Sequence, residues 1–331
     1  MVSGDVAGGH KGDVAFLERA LLAGNKSMLV TANWAVGSSH MWLGRLMDAR
    51  SPLQNAYYGL SLDEEVTFTR SHVEAPGVTC RGFHAMVETL LGFPDRAVAI
   101  LDDSQRLADQ LEHPFVMVFQ QILSGVVYRL RDEPEAMLLR SSAALALCEE
   151  HAIPMWVPLA GVQRVLALIE LGRTEEALRD IDRLELGPGL ERIVVFSSYG
   201  LVQLAEAMLL LGRIREALEA ISKAFEIGDR IGEGWSRSER HRMRAEILLA
   251  ANVGSVAQAE SDLLAALEIA RGMDAKWPEL QAANRLARLW QSQGKHKEAH
   301  DLLAPIYNWF TEGFDTKDLK EAKTLLEELA T

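Results

Sequence analysis

Two histidines and two cysteines are the side chains whose types could support metal or nucleophilic chemistry. His296 and His300 are four residues apart, so on a helix they would face one side, as two ligands of a metal ion do, and Asp301 adjoins them. Because they lie near the turn at the start of a helix, among charged residues, we interpret them as part of a solvated face. Cys80 and Cys148 lie in apolar helical patterns without a CxxC motif, which indicates two reduced, buried thiols. The sequence therefore predicts no metal site.

The motifs of common hydrolases are missing from the sequence. It contains no HExxH, no GxSxG and no Cys/His nucleophile arrangement. Acidic pairs such as those at 149–150 and 175–176 are typical of the outer faces of amphipathic helices, where basic neighbours can pair with them. We therefore predict no catalytic residue and no cofactor, and we do not expect an enzyme.

The densest basic stretch is SRSERHRMRAE, residues 236–246. On a helix, Arg240 and Arg244 share one face. The first interpretation is that these arginines form ion pairs between neighbouring helices, with Glu239 and Glu246 close by. The second is an anion or phosphate site on an inner face of the protein, and it makes Arg240 and Arg244 candidate binding residues.

Composition and charge exclude several classes of protein. The chain has 331 residues, of which 48% are hydrophobic and 24% charged, as is ordinary for a globular protein. A net charge of −13 argues against a nucleic-acid partner, which requires a basic surface. No run of apolar residues is long enough to span a membrane, and the start, MVSGDVAGGHKGD, is not a secretory signal. We therefore expect a cytoplasmic location and no membrane partner.

The structural elements that would position any functional site are repeated along the chain. Glycine is followed by alanine five residues later at 92/97, 172/177, 212/217, 254/259 and 294/299. Ser51 and Ala56 have the same spacing, and Asp132 and Ala136 are one residue closer. Turns placed at 51, 92, 132, 172, 212, 254 and 294 are 40 to 42 residues apart. A fixed period over seven copies is typical of a solenoid of stacked units.

Each unit is predicted to be a helical hairpin. The segments on both sides of the turn carry apolar residues at three- and four-residue steps, which is the spacing of one helix face. Glycine suits the turn because it adopts positive φ without strain, and a small residue seven positions before the turn would let the two helices pack closely. The only β-branched run, residues 191–198, leads into a helical pattern and is interpreted as the start of a helix.

These patterns predict an all-α protein, an α–α superhelix of about seven helical hairpins with a C-terminal capping helix. The small-residue pattern resembles the tetratricopeptide repeat, although the period is longer; HEAT-like repeats match the period better but lack the glycine–alanine pair. We expect a frayed N-terminus at 1–12, the repeats at 13–314 and the capping helix at 315–331. The segment GDVAFLERALLAGN, residues 12–25, looks like the second helix of a hairpin whose turn is at Gly12. The chain is then cut from a longer protein, has its preceding hairpin supplied by a partner, or begins with a lone capping helix.

A projection of the first helices predicts which side chains line the concave face. They are Met86, Thr89, Val126, Arg129, Leu166, Ile169, Glu206 and Leu209. A groove with this apolar centre would suit an amphipathic helix, an extended peptide or a small apolar effector. The alternative is that long helices curl the superhelix tightly, so that these side chains pack across it.

The C-terminal sequence is similar to that of a known family. The segment RLARLWQSQGKHKEAHDLLAPIYNWFTEGFDTKDLKEAKTLLEEL resembles the C-terminal repeat region of large bacterial signalling proteins that carry a predicted ATPase and often an adenylate cyclase or DNA-binding domain. APGVTCRGFHAMVETLLGFPDRA and GEGWSRSERHRMRAEILL resemble internal segments of the same region. The resemblance implies the tetratricopeptide-like repeat region only, because the GxxxxGK[ST] loop of the ATPase is missing.

Together these features predict a non-catalytic module for protein interaction or ligand sensing in a bacterial signalling protein. Its partner would be a protein or peptide on the concave face, or the ATPase or cyclase domain of the same parent protein. A free-standing peptide-binding adaptor is the alternative. The edge hairpins could also pair two copies of the chain in a homodimer.

Overall fold

A computed structural model describes residues 5–193, 196–251 and 256–330. These residues form α-helices and a one-turn 3-10 helix, Pro154–Trp156, and contain no strand. The α-helices are α1 (Val6–Ala23), α2 (Lys26–Trp42), α3 (Leu46–Tyr57), α4 (Leu62–His72), α5 (Pro76–Leu91), α6 (Pro94–Leu111), α7 (Pro114–Leu130), α8 (Pro134–Glu150), α9 (Val157–Glu170), α10 (Thr174–Leu184), α11 (Leu186–Arg192), α12 (Ser197–Leu210), α13 (Ile214–Ile231), α14 (Arg237–Ala251), α15 (Val256–Gly272), α16 (Lys276–Ser292), α17 (His296–Tyr307) and α18 (Lys317–Leu329).

Seven helical hairpins follow one another in the described part of the chain. They are α2/α3, α5/α6, α7/α8, α9/α10, α12/α13, α14/α15 and α16/α17, numbered 1 to 7. In hairpins 2, 4, 5 and 7 the turn glycine has a φ of 98°, 74°, 71° and 77°, a left-handed conformation that favours glycine. The alanine five residues later is fully buried in all four, because it lies where the two helices touch. The all-α superhelix predicted from the repeat is confirmed.

The first hairpin turns at Gly44, and the turn predicted at Ser51 is wrong. Gly44 has a φ of 76°, and Ser51 lies inside α3 together with Pro52. A Ser-Pro pair often marks a turn, but the buried face that includes Leu46 and Leu53 continues the helix through it. The small residue seven positions earlier is then Gly37, where a Cβ would lie 2.7 Å from the Leu53 side chain.

The N-terminal helix begins earlier than the sequence pattern predicts. Asp5 caps it by accepting a hydrogen bond from the Gly8 amide at 2.8 Å, and the helix runs from Val6 through Gly12. The expected frayed segment is therefore wrong for residues 6–12, and residues 1–4 lie outside the described part of the chain. Buried His10 joins this helix to α2 through Ser39, at 2.9 Å between Nδ1 and Oγ.

Two further expectations concern breaks in the described chain. In the 191–198 run, α11 ends at Arg192, Phe196 has a φ of 65° and α12 begins at Ser197. The run therefore contains a break between two helices, with residues 194 and 195 outside the description. The turn predicted at Gly254 also lies outside it, between α14 and α15.

The first helices of the hairpins form the inner layer of the superhelix. Each of α5, α7, α9, α12, α14 and α16 packs against the next one in this order. α5 buries every residue except Arg81, whereas α6 buries one face only. Cys80 and Cys148 are buried free thiols, as predicted. Across the described ranges, no helix combines the length and the apolarity needed to cross a membrane.

The superhelix curls far enough for its two ends to touch. α16 packs against α5, and the buried Trp277 indole N–H donates to the Leu130 carbonyl oxygen at 2.6 Å. The Gly234 amide donates to the Trp42 carbonyl oxygen at 2.8 Å. A Cβ at residue 234 would lie 2.3 Å from the Leu43 carbonyl oxygen, so only glycine fits this approach. We call these two contacts the closure.

The last helix covers the end of hairpin 7. Thr316 precedes it in an extended conformation, and α18 buries a stripe that includes Leu319 and Leu325. The Lys317 ammonium lies 2.7 Å from Asp132, and the Gly313 amide donates to Asp95 at 2.9 Å, so the segment before this helix also contacts hairpins 2 and 3.

Candidate ligand-binding site

Most of the side chains predicted to line a groove lie in the core. Residues 86, 89, 126 and 166 have no exposed surface, and residues 169 and 209 are half-buried against them. The curl of the superhelix brings the inner helices together, so these positions pack across it. In this conformation a ligand does not reach the fully buried ones. The four fully buried side chains are Met86, Thr89, Val126 and Leu166, and the two half-buried ones are Ile169 and Leu209.

Arg129 and Glu206 form an ion pair across the inner layer, from α7 to α12. The Arg129 Nε lies 3.1 Å from Glu206 Oε2, and both side chains are nearly buried. Burial alone would lower the pKa of Arg129, but Glu206 and Glu170 more than offset it and raise the pKa. Burial also raises the pKa of Glu170 to about 7, although Arg129 opposes the rise. The two predicted residues thus hold the layer together.

Arg240 and Arg244 are both paired with carboxylates. Arg240 is fully buried, and it donates to Asp229 at 3.2 Å and to the Glu233 carbonyl oxygen at 2.9 Å. The Arg244 Nε donates to Asp262 at 2.9 Å. Burial alone would raise the pKa of Asp262. Hydrogen bonds from His241 and Arg244 more than offset this effect and lower the pKa to about 2. The arginines therefore form ion pairs, with aspartates rather than with Glu239 and Glu246, and neither is free for an anion.

The histidine pair lies on a solvent-facing part of α17. His296 is exposed, and the nearest carboxylate to His300 is that of Asp301, at 3.9 Å. Among residues 5–193, 196–251 and 256–330, no cluster of three or more His, Cys, Asp or Glu side chains could hold a metal ion.

A cavity of about 620 Å³ opens between the inner helices, beside α11. Six aromatic side chains from α2, α5, α7 and the 3-10 turn before α9 dominate its walls. We call it the aromatic cavity. The six side chains are those of Trp34, Trp42, Phe83, Phe115, Phe119 and Trp156.

The floor of the aromatic cavity is a connected set of rings. The centroids of Phe119 and Trp156 are 5.0 Å apart, those of Phe83 and Phe119 are 6.1 Å apart, and those of Trp42 and Phe83 are 6.0 Å apart. Such distances fit edge-to-face and tilted pairs, which fix the rings relative to one another. These four side chains are buried, so the floor is formed without a ligand.

The rim of the aromatic cavity is more exposed and carries its few charges. Trp34 and Phe115 are half-buried, and Met155 is 54% exposed. Glu74, just before α5, is half-buried, and burial raises its pKa. Arg192, at the end of α11, is exposed. The cavity thus combines a large apolar surface with one acidic and one basic group.

Three indole nitrogens of the cavity walls are buried without a hydrogen-bond acceptor among the described residues. They belong to Trp34, Trp42 and Trp156. A buried donor without a partner costs about 1–3 kcal/mol, so these three N–H groups destabilise the walls of the cavity unless an acceptor reaches them.

The fold is similar to that of one solved protein, and two further solved structures align with the chain at lower scores. A Rap protein complexed with Competence and Sporulation Factor aligns with 98% of this chain and 96% of its own, at a TM-score of 0.58 and 13% identity. A tetratricopeptide repeat protein from Parabacteroides merdae aligns with 92% of this chain and 99% of its own, at a TM-score of 0.44 and 14% identity. Yeast Tom70 aligns with 92% of this chain and 64% of its own, at a TM-score of 0.46 and 12% identity. The sequence matches no protein-family model and no curated protein.

The chain is a tetratricopeptide-like superhelix. The paired helices, the glycine turns and the buried alanines carry this conclusion, and identities this low support the fold alone. The projection of the inner face includes α5 and α7, which line the cavity, but selects the wrong part of them, and it leaves out α2. It followed the turn-proximal ends, where the superhelix is closed, whereas the cavity lies elsewhere on the same layer. Clustering of tryptophan and phenylalanine in successive first helices is the sequence signal that could have located it.

Proposed function

We propose that this chain is a non-catalytic binding module that takes up a peptide or a segment of a protein in the aromatic cavity. The observation that carries the proposal is the cavity itself, with its floor of four packed aromatic rings. Ligand sites are typically concave, of about 300–1,000 Å³, mostly apolar, and equipped with a few polar groups that fix orientation. The aromatic cavity has each of these properties.

A peptide is the occupant that best matches the polar groups of the walls. A peptide main chain offers a carbonyl oxygen at every residue, and the three indole N–H groups need acceptors. Its side chains would supply the apolar surface that aromatic rings bind well. The Rap protein of similar fold was solved in complex with Competence and Sporulation Factor, which is a precedent for a ligand on this architecture.

We also propose that the module belongs to a bacterial, cytoplasmic signalling protein, as the C-terminal resemblance implies. Trp42 connects site and closure, because its ring lies in the cavity floor and its carbonyl oxygen accepts the Gly234 hydrogen bond. An occupant that moves this residue would change the closure and so the curvature of the superhelix. An ATPase or cyclase domain of the same parent protein would respond to that change. In the alternative, a free-standing adaptor, the same cavity serves without such a domain.

Binding to a synthetic library tests the function. The probe is a positional-scanning library of acetylated tetrapeptide amides, and the best binder is then titrated by calorimetry. Phe115→Ala, at the cavity rim, should weaken this binding at least about tenfold, as expected for an aromatic anchor. Phe314→Ala, at a 48% exposed phenylalanine outside the cavity, should leave it unchanged.

Two results would refute the proposal. One is a library without any binder, and the other is an equal effect of the two phenylalanine substitutions. Light scattering on the same samples measures whether the edge hairpins pair two copies of the chain in a homodimer.

A further inference from the structure

We infer that the aromatic cavity selects a peptide residue that carries a positive charge on an apolar stem, lysine or arginine, and binds that charge beside Glu74. This inference rests on the proposed function and specifies the chemistry of its ligand. It also assigns a role to Glu74.

Glu74 is a carboxylate without a counter-charge. It is half-buried in the wall of the cavity, and no ion pair or hydrogen bond joins its side chain to another residue of the described ranges. Burial raises its pKa, because the surrounding apolar groups disfavour the charged form. Arg192 lines the same cavity but is exposed and forms no ion pair with it. A cation from a ligand would supply the missing partner.

The aromatic walls favour the same kind of ligand. The face of an aromatic ring attracts a cation, most strongly where water is excluded. The protein already uses this contact elsewhere: Arg96 lies 4.3 Å from the ring centre of Phe93, and Arg244 lies 4.3 Å from that of Phe225. The methylene stem of a lysine or an arginine would meanwhile cover apolar ring surface.

The charge of the whole chain acts in the same direction. A net charge of −13 attracts basic peptides over distances of several ångströms and speeds their encounter. Arg192, exposed at the mouth, would then contact the carbonyl oxygens or a carboxylate of the remaining peptide. The cavity is therefore polarised, with an acidic group for the side chain and a basic group for the solvated part of the ligand.

The test measures the binding of three sets of the tetrapeptide library to the full chain. One position of the peptide is held as lysine in the first set, norleucine in the second and glutamate in the third. Norleucine has nearly the same stem as lysine but no charge. At one position of the peptide, the lysine set should bind at least about tenfold more tightly than the norleucine set, and the glutamate set most weakly. Glu74→Gln should reduce the ratio of the binding affinity of the lysine set to that of the norleucine set to about one. Glu175→Gln, at an exposed glutamate outside the cavity, should preserve the ratio.

The outcomes separate this inference from the proposed function. Equal binding of the lysine and norleucine sets to the unmodified protein, lost in Phe115→Ala, would overturn the charge selection and leave the peptide site standing. A preference for lysine that persists in Glu74→Gln would also overturn it. If none of the three sets binds, both the charge selection and the proposed peptide-binding function are refuted.

Discussion

Replacing Glu65 with glutamine should stabilise the protein above neutral pH and change little in acid. Glu65 lies in α4 and is only 2% exposed, and neither of its carboxyl oxygens has a hydrogen-bond partner among the described residues. Burial raises its pKa from 4.5 to about 7, and the Gly77 amide and Arg81 offset this effect only in part. The folded state therefore holds the proton on this group more tightly than the unfolded state does.

The magnitude follows from the two pKa values. Their difference, about 2.5, corresponds to ~3 kcal/mol in the free energy of unfolding. Below pH 4.5 both states are protonated, so the group makes no pH-dependent contribution to stability. Between pH 4.5 and 7 the unfolded state loses its proton first, so the native protein loses stability as the pH rises. Above pH 7 both states are ionised and the loss is complete. Glutamine has nearly the same shape and no charge, so Glu65→Gln avoids this loss.

Urea unfolding followed by circular dichroism at pH 4.5, 6 and 8 measures the effect. The variant and the unmodified protein should be equal within about 1 kcal/mol at pH 4.5, and the variant should be more stable by up to ~3 kcal/mol at pH 8. The difference in the free energy of unfolding between the variant and the unmodified protein reports on Glu65 alone, because the other buried acids titrate in both proteins. Glu175→Gln, at an exposed site, should show no such trend. A difference that is the same at all three pH values would refute the reasoning.

Three further substitutions test the inner layer and the closure by urea unfolding. Arg129→Ala should cost about 3–5 kcal/mol, because it leaves the nearly buried Glu206 carboxylate without its partner. Gly234→Ala should cost about 1–3 kcal/mol, because its Cβ would lie 2.3 Å from a carbonyl oxygen, and X-ray scattering should show a larger radius of gyration. Trp277→Phe should cost about 1–3 kcal/mol, since it leaves a buried carbonyl oxygen without its donor.

Each of these three predictions has a control variant or a result that would contradict it. Replacing Arg129 and Glu206 together by methionine should recover much of the stability lost in Arg129→Ala; no recovery would contradict the ion-pair account. Gly272→Ala, at a helical position where a Cβ would meet nothing within 4 Å, should be neutral or stabilising, and a loss equal to that of Gly234→Ala would contradict the steric argument. For Trp277→Phe, unchanged stability would mean that water replaces the lost donor.

The turns could be predicted from the sequence because they depend on local chemistry. A left-handed residue favours glycine wherever it occurs, so the period of Gly92, Gly172, Gly212 and Gly294 appears in the sequence itself. Ser51 and Ala56 imitate the pattern and predict a turn where the helix continues, although Gly44 and Ala49 have the same spacing and form the actual turn.

The site could not be located in the same way, because it depends on how far the superhelix curls. A projection along one helix identifies its inner face, and Met86 and Val126 do lie on the inner layer. Whether that layer is open or closed at a given height depends on contacts between residues far apart in sequence, such as Trp277 and Leu130. No pattern within one repeat says whether the layer is open at that height. The tryptophans and phenylalanines clustered in the first helices therefore indicate a cavity only once the curl of the superhelix is known.

The contact between the two ends changes how the molecule should come apart. In an open array of repeats each unit touches only its neighbours, so the outermost units detach first and stability accumulates unit by unit. Here hairpin 7 is bonded to hairpins 2 and 3, and the loop before α14 is bonded to hairpin 1. Losing one of these bonded units therefore weakens units far from it along the chain, which favours a single cooperative transition over gradual fraying.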